Sequence, residues 1–216
     1  MRIDHLVWYS PDLADGERYF ADRMDCAPAY GGVHPGDGTR NSLLSLGDKT
    51  YVEILARDPA QGASVSLDPQ LAGLIDQGLY HWAVGGVDLD EIIDRARRSS
   101  FEVSDAIGGG RRLPNGNWLG WKCVGLRNHG FGALVPFFID WTDCAHPASS
   151  APRGGAFRKV ELFSPQAAKL SGLFQTLGLE LSVAEREQPG IVVTLEARGG
   201  PQVLNSFEPL PRGFVI

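Results

Sequence analysis

The sequence lacks the features that mark secreted, membrane-spanning or nucleic-acid-binding proteins. It has three cysteines and no CxxC pair, which argues against a disulfide scaffold and favours a reducing cytoplasm. No apolar run approaches the ~20 residues that span a bilayer, and the first residues are polar too early for a signal peptide. The 20 basic residues are scattered in a chain of net charge −6, which excludes a basic footprint for nucleic acid or an anionic membrane. We therefore expect a cytoplasmic, globular protein whose partner is a small molecule, with a homodimer as an open alternative to the monomer.

What the sequence does contain is a repeat. HLVWYSPDL at 5–13 and HWAVGGVDL at 81–89 both begin with histidine, continue as an apolar strand and end in Asp-Leu at the start of a helix. In the first copy, Ser10-Pro11 supplies the expected helix entry. Each helix is followed by three β-like stretches, at 27–33, 41–47 and 49–56 in the first copy and at 101–107, 119–127 and 132–141 in the second.

A third, fainter copy follows a Pro/Ser/Gly-rich linker. RKVELFSP at 158–165 repeats the strand and the Ser-Pro entry, and apolar spacing predicts a helix over 166–177. Lys159 stands where the first copy has His5, so this copy should not share the chemistry of the other two.

The pattern predicts an α+β fold in which repeated βαβββ modules form a curved mixed sheet, a cup with helices outside, plus a third partial module. The expected boundaries are 1–57 for module 1, 58–78 for a connector with a short helix, 79–141 for module 2, 142–155 for a linker, and 156–216 for the third, divergent module.

Four polar residues lie inside apolar strands of the first two modules. His5 and Glu53 belong to the first module, and His81 and Asp140 to the second. A carboxylate between apolar neighbours is costly to desolvate unless it is paired or bound to a metal. A shared divalent cation (Zn, Ni, Mn, Fe or Co) would explain both pairs, and hydrogen bonding of the four residues to one another is the alternative.

With these residues, the sequence resembles glyoxalase I and its vicinal-oxygen-chelate relatives. The segments 31–56 and 134–141 are most similar to the glyoxalase-like domain branch. The resemblance implies that His5, Glu53, His81 and Asp140 bind one catalytic metal, although Asp140 is one methylene shorter than the family's glutamate. It further implies a lyase or isomerase in which the metal stabilises an enediolate while Glu53 or Asp140 moves a proton; epimerisation and ring-opening dioxygenation stay open. The alternative is a non-catalytic binding protein of the same fold, like the superfamily's antibiotic-sequestering members, which lack the metal residues.

Two basic and aromatic segments are candidates for substrate binding. His34, Arg40 and Asn41 lie in a glycine-rich loop. A similar basic and aromatic edge surrounds the hairpin loop expected at Asn115-Gly116; it consists of Arg111, Arg112, Trp118, Trp121 and Lys122, of which Arg112, Trp121 and Lys122 are the chosen candidates. Their charge predicts an anionic substrate with Arg40 as its anchor. The alternative for the first segment is a solvated loop, and the alternative for the second is ordinary strand packing. His146, next to a proline, is expected to be exposed.

Overall fold

The computed structural model describes residues 1–62, 69–99, 101–113, 116–141 and 144–214. Its first unit has the predicted βαβββ order, with one helix packed on the back of the strands. The elements are β1 (Arg2–Tyr9), α1 (Leu13–Met24), β2 (Ala29–His34), β3 (Thr39–Ser45) and β4 (Tyr51–Arg57).

Helix α1 begins later than the Ser10-Pro11 pair predicts. Asp12 is the N-cap, and its side chain accepts hydrogen bonds from the backbone amides of Ala14 and Asp15 at 2.8 and 3.2 Å. Ser10 instead donates to the backbone oxygen of Asp12. An ionised aspartate also suits the positive end of the helix dipole, so Asp12 rather than Ser10 starts the helix.

The second unit repeats this order but is more interrupted. A short helix α2 (Pro69–Ala72) precedes it, and it consists of β5 (Gly78–Gly85), α3 (Leu89–Arg98), β6 (Glu102–Val103), β7 (Ile107–Arg112), β8 (Trp118–Val124), β9 (Leu126–Arg127) and β10 (Phe137–Asp140). The strand predicted over 132–141 is shorter, because Gly132–Leu134 form a 3-10 turn. The hairpin residue Asn115 lies outside the described residues.

The glycine-rich strand β7 was not predicted, because glycine ordinarily weakens strands. Here glycine is required by the neighbouring strand. A Cβ at Gly109 would overlap the indole of Trp121 on β8, and a Cβ at Gly110 would overlap that of Trp118. The missing side chains on β7 therefore make room for two tryptophans that fold across it.

The two units join in one eight-stranded sheet with the order β2-β3-β4-β1-β5-β10-β8-β7. The first strand of each unit pairs in parallel with its last strand, β1 with β4 and β5 with β10. The two first strands pair with each other in antiparallel fashion. This shared pattern shows the paired βαβββ modules that the repeat predicted.

The sheet curves until its two edge strands nearly meet. At the closest approach Gly32 on β2 has φ +143°, and a Cβ there would lie 2.8 Å from the backbone oxygen of Arg112 and 3.0 Å from Nη1 of Arg111. Only glycine fits between the two edges without displacing one of them. The sheet therefore forms a deep, almost closed cup.

The two faces of the cup are packed differently. The convex face holds the larger apolar core, to which α1, α3 and the C-terminal helix contribute, with Phe20, Trp82 and Phe138 fully buried. The concave face carries a second apolar cluster that includes Val7, Tyr80 and Phe137. No helix within the described ranges is both long and apolar enough to cross a membrane.

The C-terminal residues form their own sheet on the convex side. Its elements are β11 (Ala156–Ser164), α4 (Ala167–Leu177), β12 (Val183–Glu185), β13 (Gly190–Ala197) and β14 (Gly200–Asn205), and α4 packs against α3. The strand order is β12-β11-β13-β14, so the first strand lies between the second and third. The order of elements along the chain thus repeats that of the first two modules, but the order of the strands within the sheet differs from theirs. Lys159 is exposed and pairs with Glu161.

Candidate functional site

A cavity of about 570 Å³ opens on the concave face of the sheet. One end is polar, with side chains from β1, β2, β3, β4 and β7; they are His5, His34, Asn41, Glu53 and Arg111. The rest of the wall is mainly apolar and includes Tyr51, Leu55, Trp121, Phe137, Trp141 and Phe214. A mostly apolar cavity with a few converging polar groups has the usual form of a small-molecule site.

Asp4 holds the imidazole of His5 in place. The pairing of β1 with β5 shifts register between Ile3 and His5, so β1 bulges at Asp4. Asp4 is fully buried, and its Oδ1 accepts a hydrogen bond from Nδ1 of His5 at 3.0 Å. A carboxylate can only accept, so Nδ1 is the nitrogen that donates to Asp4, and the other nitrogen, Nε2, faces the cavity.

The carboxylate of Asp4 has two further donors. Nε1 of Trp141 donates to Oδ1 at 3.1 Å and Nε2 of His146 donates to Oδ2 at 3.0 Å. Burial alone would raise the pKa of Asp4, but the hydrogen bonds from His146 and His5 outweigh it and hold this pKa well below its usual range. Asp4 is therefore ionised and fixed.

Neither Asp4 nor His146 was predicted to belong to the site. His146 was expected to be exposed, and this is wrong because its ring packs beside Tyr51 and Trp141 and is only 5% exposed. The available signal was the Asp4-His5 pair in an apolar strand, since a buried carboxylate next to a histidine often orients it.

Glu53 faces His5 across the polar end of the cavity. Its Oε2 lies 3.7 Å from Nε2 of His5, and its Oε1 accepts a hydrogen bond from the amide of Asn41 at 2.6 Å. Glu53 is only 8% exposed. Among the described residues, no hydrogen bond uses Oε2 of Glu53 or Nε2 of His5. These two atoms are thus available to a ligand.

His34 lies on the other side of Glu53 and is already bonded. Nδ1 of His34 donates to Oγ1 of Thr39 at 2.9 Å, and Nε2 accepts from the amide of Asn41 at 3.2 Å. Burial lowers the pKa of His34, and Glu53, 3.6 Å away, only partly opposes this. A neutral His34 therefore supports Asn41 and Glu53.

Arg111 brings a buried positive charge to the cavity. The residue is 3% exposed, and burial lowers the pKa of its guanidinium. Its Nη1 is buried without a hydrogen-bond acceptor, and no carboxylate of the described residues lies within 4.0 Å of it. Among nearby negative groups, Glu53 has the largest effect on the pKa of Arg111, which it raises in opposition to burial.

His81 does not join His5 and Glu53. Its Nε2 donates to the backbone oxygen of Val135 at 2.9 Å, and its Nδ1 accepts from the backbone amide of Phe214 at 3.0 Å. The ring of Phe137 packs against both imidazoles, with its centroid 5.4 Å from that of His5 and 5.2 Å from that of His81. Burial lowers the pKa of His81 to about 4. His81 is a neutral structural residue with both nitrogens occupied.

Asp140 lies on the face of its strand that points away from the cavity. Phe137, Ile139 and Trp141 line the cavity, so the side chain between the last two points away from it and is exposed. In the described part of the chain, no group of three or more histidine, cysteine, aspartate or glutamate residues could hold a metal ion. The predicted centre of His5, Glu53, His81 and Asp140 is not assembled, and the residues present do not fit the divalent cation that the resemblance implies.

The candidates for substrate binding divide by strand face. His34, Asn41 and Trp121 line the cavity. Arg40, Arg112 and Lys122 do not line it, because each is one residue out of phase with a side chain that does. Among the described residues, the cation that lines the cavity is Arg111, which belongs to the same basic edge of the second unit as Arg112.

The paired βαβββ modules and the concave cavity define a protein of the vicinal-oxygen-chelate fold. A family model for a glyoxalase-like domain matches residues 3–178, and the chain belongs to this family. A solved structure of a hypothetical protein from Staphylococcus aureus is 17% identical with a TM-score of 0.66, over 94% of this chain and 84% of that one. A methylmalonyl-CoA epimerase from Streptomyces coelicolor is 18% identical with a TM-score of 0.49, over 68% and 99%. A comparison with curated proteins finds no match.

Proposed function

We propose that the protein is an isomerase- or lyase-type enzyme that moves a proton on a small oxygenated substrate bound in the cavity. The observation that carries the proposal is the pair of uncommitted atoms, Nε2 of His5 and Oε2 of Glu53, 3.7 Å apart. In each side chain the other polar atom is fixed by a hydrogen bond, that of His5 by Asp4 and that of Glu53 by Asn41. Fixed orientation of a base and an acid is what general acid–base catalysis requires.

The step follows from the chemistry of the two groups. One of them removes a proton from a carbon next to a carbonyl; the electron pair of the broken C–H bond forms a C=C bond, and the π pair of the C=O bond moves to the oxygen. The other returns a proton to the same carbon, to its neighbour or to the oxygen. The largely apolar wall excludes water, which strengthens the electrostatic effect of the polar end on the developing charge. No part of this step depends on a metal ion.

A second candidate function is binding without catalysis. It is favoured by the incomplete metal set, since His81 is bonded to backbone groups and Asp140 is exposed. In that case His5 and Glu53 would hydrogen-bond the carbonyl and hydroxyl groups of a sequestered molecule. The two candidates share the cavity and differ in whether a C–H bond is broken.

The experiment that separates them measures binding and proton exchange on the same compounds. Small 2-oxo and 2-hydroxy carbonyl compounds would be screened by tryptophan fluorescence, because Trp121 and Trp141 line the cavity. Those that bind would be incubated with the protein in D2O, and loss of the proton next to the carbonyl would be followed by NMR. We expect exchange above the uncatalysed rate for at least one compound. Binding without any exchange would support the sequestering function instead.

A further inference from the structure

We propose that Arg111 is the anchor for a carboxylate, so that the cavity takes a small organic acid with a carbonyl group and an apolar side chain. The inference rests on the proposed function for the position of the reacting carbon, at His5 and Glu53. The anchoring role itself stands on the burial of Arg111 and can be tested by binding alone.

The first step of the argument is the state of the guanidinium. Arg111 is 3% exposed and its Nη1 has no acceptor among the described residues. A buried guanidinium without a bonded anion is costly, and such groups are normally paired. The carboxylate that acts on it most strongly, Glu53, is already bonded to Asn41 and lies more than 4.0 Å away. A bound anion would supply both the hydrogen-bond acceptor and the negative charge that the guanidinium of Arg111 lacks.

The second step is the contrast with the next residue on the same strand. Arg112 is exposed and does not line the cavity, whereas Arg111 does. The side chain of Arg111 passes Gly32 on the opposite edge strand, where a Cβ would lie 3.0 Å from Nη1. The closure of the cup thus encloses this guanidinium instead of leaving it in solvent.

The third step concerns the rest of the ligand. A guanidinium forms two parallel hydrogen bonds with a carboxylate, which fixes the orientation of the acid as well as its charge. Beyond the polar end, the wall consists largely of apolar side chains such as Leu55, Trp121 and Phe137. A 2-oxo acid with an aromatic or branched apolar group places its charge at Arg111, its reacting carbon near His5 and Glu53, and its apolar group against this wall.

The test compares a matched acid and ester. Phenylpyruvate and 4-methyl-2-oxopentanoate, with the methyl ester of each, would be titrated by calorimetry into wild type, Arg111→Gln, Arg111→Lys and the control Arg112→Gln. We expect wild type to bind each acid about ten- to a hundredfold more tightly than its ester, as one charge-assisted contact predicts. Arg111→Gln should lose this preference, Arg111→Lys should regain part of it, and Arg112→Gln should match wild type.

Equal affinity of wild type for acids and esters, or binding of neither, would overturn the assignment. So would an unchanged affinity for the acids in a folded Arg111→Gln protein, which would make Arg111 structural. Should Arg111→Gln not fold, Arg111→Lys and the wild-type comparison decide. A clear preference for acids without proton exchange would contradict the proposed enzyme and leave the anchor intact.

Discussion

The two buried histidines on neighbouring strands, His5 and His81, have different relations to the cavity. His5 is oriented by the ionised Asp4, and its second nitrogen faces the cavity. His81 is neutral, and backbone groups occupy both of its nitrogens. From the sequence both histidines were predicted as equivalent ligands, because they hold equal places in the repeat. The difference comes from Val135 and Phe214, whose backbone groups bond to His81; both are far from His81 in the sequence, so the local pattern does not show them.

Asp4→Asn is expected to lower the free energy of unfolding by about 2–4 kcal/mol at pH 7, since three donors lose an ionised acceptor. The pKa of Asp4 is lower in the folded protein than in the unfolded chain, so its contribution is complete above pH ~4 and is lost as pH falls further. Urea unfolding of wild type and variant at pH 7, 5, 4 and 3 measures this. A difference between them that stays constant down to pH 3 would show that the charge on Asp4 does not matter.

His81 should make the stability of the protein depend on pH in a higher range than Asp4 does. Its pKa falls from 6.5 to about 4 on folding, so the unfolded chain binds more protons between these values and stability rises with pH there. From pH 7 to pH 5 this residue should remove roughly 2 kcal/mol of stability. His81→Gln should reduce the difference between the two pH values in denaturant titrations. An equal pH effect in the variant would assign it to other groups.

At the scale of elements, the phase of each strand decides what reaches the cavity. Strand positions were predicted well in the first unit, and the His5 and Glu53 of its long apolar runs both line the cavity. Asp140, Arg112 and Lys122 were each one residue out of phase. Strand β7 carries glycine and arginine on both faces, and β10 carries apolar residues on both faces, so alternation alone does not reveal which face of these two strands meets the cavity.

The approach of the two edge strands makes Gly32 sensitive to substitution. Gly32→Ala adds a Cβ 2.8 Å from a backbone oxygen on β7, at a φ that alanine rarely adopts. Gly36 also has a positive φ, but a Cβ there would meet open space, so Gly36→Ala isolates the conformational effect. We expect a loss of about 1 kcal/mol for Gly36→Ala and about 2–4 kcal/mol for Gly32→Ala in denaturant unfolding. Equal losses would mean that β2 and β7 are not in contact.

At the scale of the whole molecule, the third unit differs most from expectation. Its helix Ala167–Leu177 lies where the spacing placed it, but its strand order differs from that of the other two units. Strand order depends on which edges meet in space, and the local pattern of apolar residues contains no information on that. The sequence predicts residues 156–216 as a third module, and whether this module folds independently of the other two has to be tested by experiment.

Truncation after residue 155 tests that independence. Leu170, Leu173 and Phe174 of α4 belong to the same apolar core as Ile92 and Ile93 of α3. Removing α4 would expose that face of α3, so we expect residues 1–155 to be insoluble or to show no cooperative thermal transition. A soluble fragment that melts cooperatively near the wild-type temperature would show that the third unit is an independent addition.

The central claim is that His5 and Glu53, without His81 or Asp140, form the reactive pair. Its most direct measurement is the rate of deuterium exchange into a bound 2-oxo acid by wild type, Glu53→Gln, His5→Gln and Asp140→Asn. Because general acid–base groups contribute about 10²- to 10⁴-fold, Glu53→Gln and His5→Gln should each lose at least about a hundredfold, and Asp140→Asn should stay within about twofold of wild type. Full exchange in Glu53→Gln, or its loss in Asp140→Asn, would contradict the account.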